Sequence, residues 1–360
     1  MPSLADIAES SPFLGRLLAA RPALAAEVES SLQQPVGADE LSTWLAAQPV
    51  TEANLKRVLR QLKQRAYARI AARDLAGLAS LSEVMECMTL IAELAVRKSV
   101  EVLSQHLSER YGTPRGPAAG NAAVGSAQEL IVIGMGKLGG RELNVSSDID
   151  LIFVFPEDGE TDASGVNSRP ISNFEFFSRL GRAVINAIAD ATEDGRVFRV
   201  DMRLRPDGDS GPLACSFDML ENYFVTQGRE WERYAWIKAR PLTGGRHDEL
   251  EQIRQPFVFR KYFDFGAINA MRELHAQIRR EVAKKDMADN VKLGPGGIRE
   301  IEFIAQVFQL IRGGRDTPLQ IKPTQRVLSL LAERAILGVD TAEELASAYG
   351  FLRRLEHRLQ

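Results

Sequence analysis

The sequence predicts an α+β chain that is mostly helical, with a small mixed sheet near its middle and helical regions on either side. Three observations lead there. Apolar residues recur at three- and four-residue spacing over the first stretch of the chain and again beyond Phe217. Between them, "ELIVIG" and "IDLIFVF" are short β-branched and aromatic runs with the character of buried strands. The tract "YGTPRGPAAGNAAVGSAQ", rich in Gly, Pro, Ala and Asn, separates the two styles and reads as a linker. The expected limits are a helical region over 1–112, a linker over 113–127, a mixed α/β domain over 128–245 and a second helical domain over 246–360.

Each element follows from local pattern. In "ANLKRVLRQLKQRAYARIAARDLAGLAS" the residues Leu55, Val58, Leu59, Leu62, Ala66 and Ile70 share a face. "SLSEVMECMTLIAELAVRKSVEVLSQHL" continues as helix, with Ser82 its expected N-cap. After the two strands comes a polar loop, "EDGETDASGVNSRP". A helix then opens on a capping box, Ser172 with Glu175, and carries Phe176, Leu180, Val184 and Ile188 on its apolar face. A third strand, "RVFRVDMRLR", is expected to stop at Pro206. The later helices are interrupted by "LGPGG" (Leu293 to Gly297). The last residues, "FLRRLEHRLQ", lie inside an apolar-periodic helix without a stop signal, so a fragment of a longer protein is expected.

Composition narrows the class. The 360 residues include 45 basic and 48 acidic side chains, a net charge of −3, which gives no general attraction to nucleic acid or to anionic membrane. Two cysteines without a CxxC and four scattered histidines, His106, His247, His275 and His357, point to neither a disulfide framework nor a zinc site. No signal-peptide pattern opens the chain, and no apolar run approaches the ~20 residues of a membrane span. The expectation is a soluble, cytoplasmic protein.

The chemistry concentrates in "GMGKLGGRELNVSSDIDLIFVF", Gly134 to Phe155. Gly134, Gly136 and Gly139 satisfy G-x-G-x-x-G after a strand. A dinucleotide fold then needs a crossover helix, a parallel second strand and an acid about 20 residues on. Here the next strand begins after a short spacer containing "NVSS", a poor helix, so that reading fails. A P-loop fails too, because Lys137 is followed by Leu138 rather than a hydroxyl residue.

The aspartates remain. Along a strand alternate side chains share a face, so Asp148 and Asp150 project together while Ile149 and Leu151 face the core. Two neighbouring carboxylates repel unless a cation lies between them, and oxygen ligands suit a hard divalent ion. For most D-x-D pairs a solvated strand edge is the better account; here the pair opens a strongly apolar strand after a glycine turn. In the third strand Asp201, Arg203 and Arg205 are expected on one face, an acid for metal beside two forks for phosphate oxygens. An ordinary salt-bridged strand is the alternative there.

With these residues the chain resembles the nucleotidyltransferase superfamily related to DNA polymerase beta, in which a small-residue turn precedes D-h-[DE]-h and a later third acid. More narrowly, "GMGKLGGRELNVSSDIDLIF", "VDMRLRPDGDSGPL", "REWERYAWIKARPL" and "KLGPGGIREIEF" resemble blocks of the bifunctional glutamine synthetase adenylyltransferase/adenylyl-removing enzymes. The resemblance is to the N-terminal, adenylyl-removing half, and by it the transferase half is not expected here. It implies metal-dependent phosphorolysis of adenylyl-tyrosine on glutamine synthetase, yielding ADP, with the PII signal protein as a partner. It implies Mg²⁺ on Asp148, Asp150 and Asp201, with Gly134 and Gly136 close to the nucleotide phosphates. Lys137, Arg203 and Arg205 are the candidates to offset anion repulsion. Two alternatives stay open: another nucleotidyltransferase, such as a PII uridylyltransferase, and a regulatory module without catalysis. "REWERYAWIKARP" is expected to pack as helix with a basic outer edge, a nucleotide or partner contact being the alternative, and "GPGGIREIEF" to be a loop-to-helix joint that needs no ligand, an anion at the helix N-terminus being the alternative.

Overall fold

The computed structural model describes residues 3–118, 125–164, 166, 169–260, 273 and 290–359. His275 and the helical expectation over 261–289 fall outside the described residues, apart from Glu273. In chain order the helices α1 (Leu4–Glu9), α2 (Pro12–Ala20), α3 (Pro22–Ser31), α4 (Ala38–Ala46), α5 (Glu52–Leu75) and α6 (Leu81–Tyr111) come first. Then follow β1 (Pro114–Arg115), β2 (Ile131–Gly134), the one-turn α7 (Gly136–Gly139), β3 (Ile149–Phe155), β4 (Glu160–Thr161), α8 (Asn173–Ala189) and β5 (Val200–Asp201). The remainder is β6 (Ala214–Ser216), α9 (Phe217–Thr226), α10 (Glu230–Trp236), β7 (Arg240–Pro241), α11 (His247–Val258), α12 (Ile298–Arg312), α13 (Thr324–Glu333) and α14 (Val339–Leu359). The fold is mostly helical with a small mixed sheet, as the hydrophobic periodicities require.

The chain forms two compact units whose segments alternate along the sequence. One comprises Met1–Leu130, Arg141–Ile149 and Asp158–Asp201; the other comprises Ile131–Gly140, Asp150–Glu157 and Met202–Gln360.

In the first unit α5 and α6 form the spine, and α8 packs on both. Leu55, Val58, Leu59, Leu62, Ala66 and Ile70 of α5 are all buried, as their spacing predicts. Helix α6 begins earlier than expected. Its N-cap is Ser80, whose hydroxyl accepts the Glu83 N–H at 3.2 Å, and Ser82 already lies in the first turn. At α8 only half of the capping box forms. Ser172 Oγ accepts from the Glu175 N–H at 3.2 Å, while the Glu175 carboxylate turns to Arg179. Phe176, Leu180, Val184 and Ile188 are fully buried. The expected linker contains β1, which pairs antiparallel with β4.

In the second unit β3 lies antiparallel to β2 and parallel to β6, and β7 flanks β2 antiparallel. Ile131, Ile133, Ile152 and Val154 pack with Cys215, Phe217, Leu220, Phe224 and Trp236 into one apolar cluster. A second cluster joins α12, α13 and α14 through Ile298, Ile301, Val327, Leu328, Leu331 and Tyr349. The "REWERYAWIKARP" block departs from expectation. Arg233 and Lys238 are buried rather than on an outer edge, and Arg233 is held by Glu230 at 2.6 Å and by the Val258 carbonyl. A buried guanidinium is tolerated only when paired in this way.

Candidate active site

The glycine turn lies in the second unit. Strand β2 ends at Gly134, opposite Leu151 of β3, and the Met135 N–H donates to the Asp150 carbonyl at 2.9 Å. The antiparallel register excludes a parallel crossover, in agreement with the spacer length. Gly136 takes φ +51°, a left-handed conformation that favours glycine, and a Cβ there would lie 3.0 Å from Asp150 Oδ2. The carboxylate of Asp150 therefore rests against bare backbone. Gly139 is needed for a different reason, since its Cβ would overlap the Lys238 carbonyl oxygen at 1.8 Å. Arg240 closes the turn by donating from Nε to the Gly139 carbonyl (3.0 Å) and from Nη2 to the Leu138 carbonyl (2.9 Å). These carbonyls, at the end of a one-turn helix, lack helical partners of their own.

Lys137 is engaged inside the same unit. Its ammonium donates to both carboxylate oxygens of Glu356 on α14, at 2.9 and 3.2 Å. Burial, and then the positive charge of Arg353, push its pKa down to about 8, against the opposing pull of Glu356. The charges continue inward. Arg353 Nη1 donates to the Tyr349 hydroxyl at 2.8 Å, that hydroxyl to Glu302 at 3.3 Å, and Lys238 to Thr324 Oγ1 at 3.0 Å. Burial alone would raise the Glu302 pKa; the cations of Lys238, Arg353 and Lys137 outweigh it and hold the carboxyl below its usual range. Sequence reasoning missed Glu356 and Arg353. Their signal was two charges three apart on the apolar-periodic stretch "FLRRLEHRL".

In the first unit Asp148 stands just ahead of β3, and Arg199 Nε donates to its Oδ1. Nη2 of Arg199 donates to the Ser146 carbonyl at 3.1 Å. The backbone locks this neighbourhood, because the Ile149 N–H donates to the Arg199 carbonyl at 2.9 Å. Asp201, in β5, is half-buried.

The third strand is shorter than the alternation suggested, ending at Asp201. The next residues turn: the Arg205 N–H reaches the Met202 carbonyl at 3.2 Å, and Asp207 and Gly208 both take left-handed φ. Asp201, Arg203 and Arg205 therefore do not share one strand face. Arg205 is used locally, on the Met202 carbonyl (2.8 Å), the Gly211 carbonyl (3.4 Å) and Asp209 (3.4 Å). Arg203 is exposed. The "GPGG" joint is closed by its own helix, the Gly296 N–H donating to Glu300 at 2.9 Å. Glu300 and Glu302 serve different partners.

Among the described residues no three His, Cys, Asp or Glu side chains are drawn together as a metal-binding group, and no helix is long and apolar enough to cross a membrane. The donors themselves are hard carboxylate oxygens, the type that Mg²⁺ takes. The bare backbone at Gly136 beside Asp150 leaves the space that a side chain would fill.

A glycine turn after the first of two antiparallel strands, with Asp148 just ahead of the second and Asp150 in it, is the arrangement in which the chain resembles the nucleotidyltransferase class. Known proteins carry this further. Residues 1–255 match the family model described as glutamate-ammonia ligase adenylyltransferase, and the chain belongs to that family. Residues 272–360 match a model described as GlnD PII-uridylyltransferase. Among its relatives is a bifunctional glutamine synthetase adenylyltransferase/adenylyl-removing enzyme of Aromatoleum aromaticum. It is 62% identical over 358 residues, which cover 99% of this chain and 37% of the relative. Proteins of the same description from Chromobacterium violaceum and Nitrosomonas europaea are 54% and 53% identical, each match covering 99% of this chain. The chain spans less than two-fifths of the length of these relatives.

Proposed function

We propose that this chain removes AMP from an adenylylated tyrosine of glutamine synthetase by metal-dependent phosphorolysis, releasing ADP, in the cytoplasm. The observation that carries the reading is the antiparallel β2–turn–β3 unit in which Gly136 lays bare backbone against the Asp150 carboxylate. Family membership supplies the substrate class: the relatives are described as glutamine synthetase adenylyltransferase/adenylyl-removing enzymes. The two buried free cysteines suit a reducing compartment.

Asp148, Asp150 and Asp201 are the residues that would hold Mg²⁺, which supplies charge neutralisation to a transferring phosphoryl group. Gly134 and Gly136 let the main chain approach the nucleotide phosphates. Lys137 acts at a distance from the chemistry: bound to Glu356, it fixes the turn and lends it positive potential. Arg203, exposed on its turn, remains a residue for phosphate oxygens, whereas Arg205 shapes the loop that carries it. Inorganic phosphate is already anionic near neutral pH, so the chain needs cations more than a strong base.

The PII signal protein is the expected regulatory partner, on the strength of the likeness of residues 272–360 to the GlnD model. The same likeness favours a second reading, a uridylyltransferase for PII. It covers residues 272–360, beyond the strands, whereas the segment holding all three aspartates matches the adenylyltransferase model. Incubating the chain with adenylylated glutamine synthetase, Mg²⁺ and phosphate separates them: ADP should appear, and UMP from uridylylated PII should not. Asp150→Asn should abolish ADP release while leaving the melting temperature unchanged. Retained turnover in that variant would remove Asp150 from the site.

A further inference from the structure

We propose that Arg199 is the residue that binds the attacking inorganic phosphate. This rests on the phosphorolysis reading above and adds to it a residue that the sequence pattern did not single out. Arg199 sits beside the first aspartate of the D-x-D pair and is built in from the backbone side, by its carbonyl on Ile149 and its Nη2 on Ser146. Its guanidinium is nonetheless open to solvent, with 57% of the side chain exposed and 46% of Asp148. Among the described residues Nη1 has no partner.

Two features suit this residue to phosphate. A guanidinium presents paired donors in a fixed plane, which match two phosphate oxygens. Its present ion pair is solvent-screened, and pairs of that kind contribute little, so exchange of a carboxylate for a dianion meets little resistance. Of the other cations suggested by the sequence, Arg203 is exposed, on the turn after Asp201, and Lys137 and Arg205 are less available. Lys137 donates to both Glu356 oxygens with 14% of its side chain exposed, and Arg205 is tied to two carbonyls of its own loop at 13%.

In the reaction, an oxygen of hydrogen phosphate forms a bond to the adenylyl phosphorus and the bond from phosphorus to the tyrosine oxygen breaks. The proton of hydrogen phosphate goes to that phenolic oxygen, leaving ADP and tyrosine. Arg199 holds the nucleophile against the repulsion of the phosphodiester, so its removal acts on phosphate binding before it acts on turnover.

The test is steady-state phosphorolysis of adenylylated glutamine synthetase with phosphate varied, for the unmodified chain, Arg199→Ala and Arg199→Lys. The expected result is a KM for phosphate raised about tenfold or more in Arg199→Ala, partly recovered in Arg199→Lys. The KM for the protein substrate should stay unchanged, and kcat should fall far less. Arg205→Ala should instead lower the unfolding midpoint. A phosphate KM in Arg199→Ala equal to that of the unmodified chain overturns the proposal, as does a loss confined to kcat. If the unmodified chain makes no ADP in response to phosphate, the phosphorolysis reading fails and the role of Arg199 fails with it, a result distinct from the other two. Should Arg199→Ala fold poorly by circular dichroism, Arg199→Lys and Arg199→Gln decide on the same two constants.

Discussion

The closest fit between residue and task is at Gly136, where two constraints coincide. Its φ of +51° favours glycine, and any Cβ would meet Asp150 Oδ2 at 3.0 Å. Gly136→Ala should therefore lower stability by about 1 kcal/mol or more, read as a shift of the urea midpoint at constant slope. It should also impair ADP release beyond what unfolding explains, because the carboxylate must move. An unshifted midpoint would show that the turn relaxes freely. This much was legible in the sequence, since a glycine two residues past a strand and an acid entering the next strand are local features. Arg199 was half legible: it alternates with Asp201 in "RVFRVDMRLR" as Arg203 does, but nothing local said that it faces Asp148. The partner of Lys137 was not legible, because Glu356 stands 219 residues away and only the tertiary fold brings it there.

At the scale of elements, the segment that leads into β5 is held by one face of α5. Arg60, 1% exposed, donates from Nε to the Gly195 carbonyl (2.9 Å), from Nη1 to the Ala187 carbonyl (3.0 Å) and from Nη2 to the Asp190 carbonyl. Lys63 donates to the Arg196 carbonyl at 3.1 Å and lies over the Phe198 ring. With Lys56, which donates to Asp190 at 2.7 Å, three cations of one helix thus hold the segment between the end of α8 and the start of the Asp201 strand. Arg60→Ala would leave three carbonyls short of a donor and a void where the side chain lay, for a loss of about 2–4 kcal/mol in chemical unfolding. A loss below about 1 kcal/mol would mean that water replaces the guanidinium. The apolar face of α5 was readable from its spacing, but its polar face was not, because a charged residue on a helix reads as solvated unless the neighbour is known. The strand "RVFRVDMRLR" shows the converse limit. Its alternation is real, yet the left-handed pair Asp207 and Gly208 and the bond from Arg205 to Met202 turn the chain after Asp201. Alternation constrains side-chain faces only while the backbone stays extended.

Over the whole molecule, the two units are each assembled from segments distant in sequence, and this governs how the chain can be divided. Residues Ile131–Gly140 and Asp150–Glu157 belong with Met202–Gln360, although they are embedded among segments of the other unit. Strands β2 and β3 contribute Ile131, Ile133, Ile152 and Val154 to a cluster whose remaining members, from Cys215 to Leu310, apart from Met135 of the turn, all follow residue 201. A fragment ending at Asp201 would keep these strands and lose every one of those later partners, along with β6 and β7 on either side. Two unpaired apolar strand edges in such a fragment form a template for association. Residues 1–201 expressed alone should therefore aggregate or bind a hydrophobic dye strongly, and co-expression with 202–360 should restore solubility. Measured by gel filtration and dye fluorescence, a monodisperse fragment with low dye binding would show that β2 and β3 do not depend on the later segments for their core.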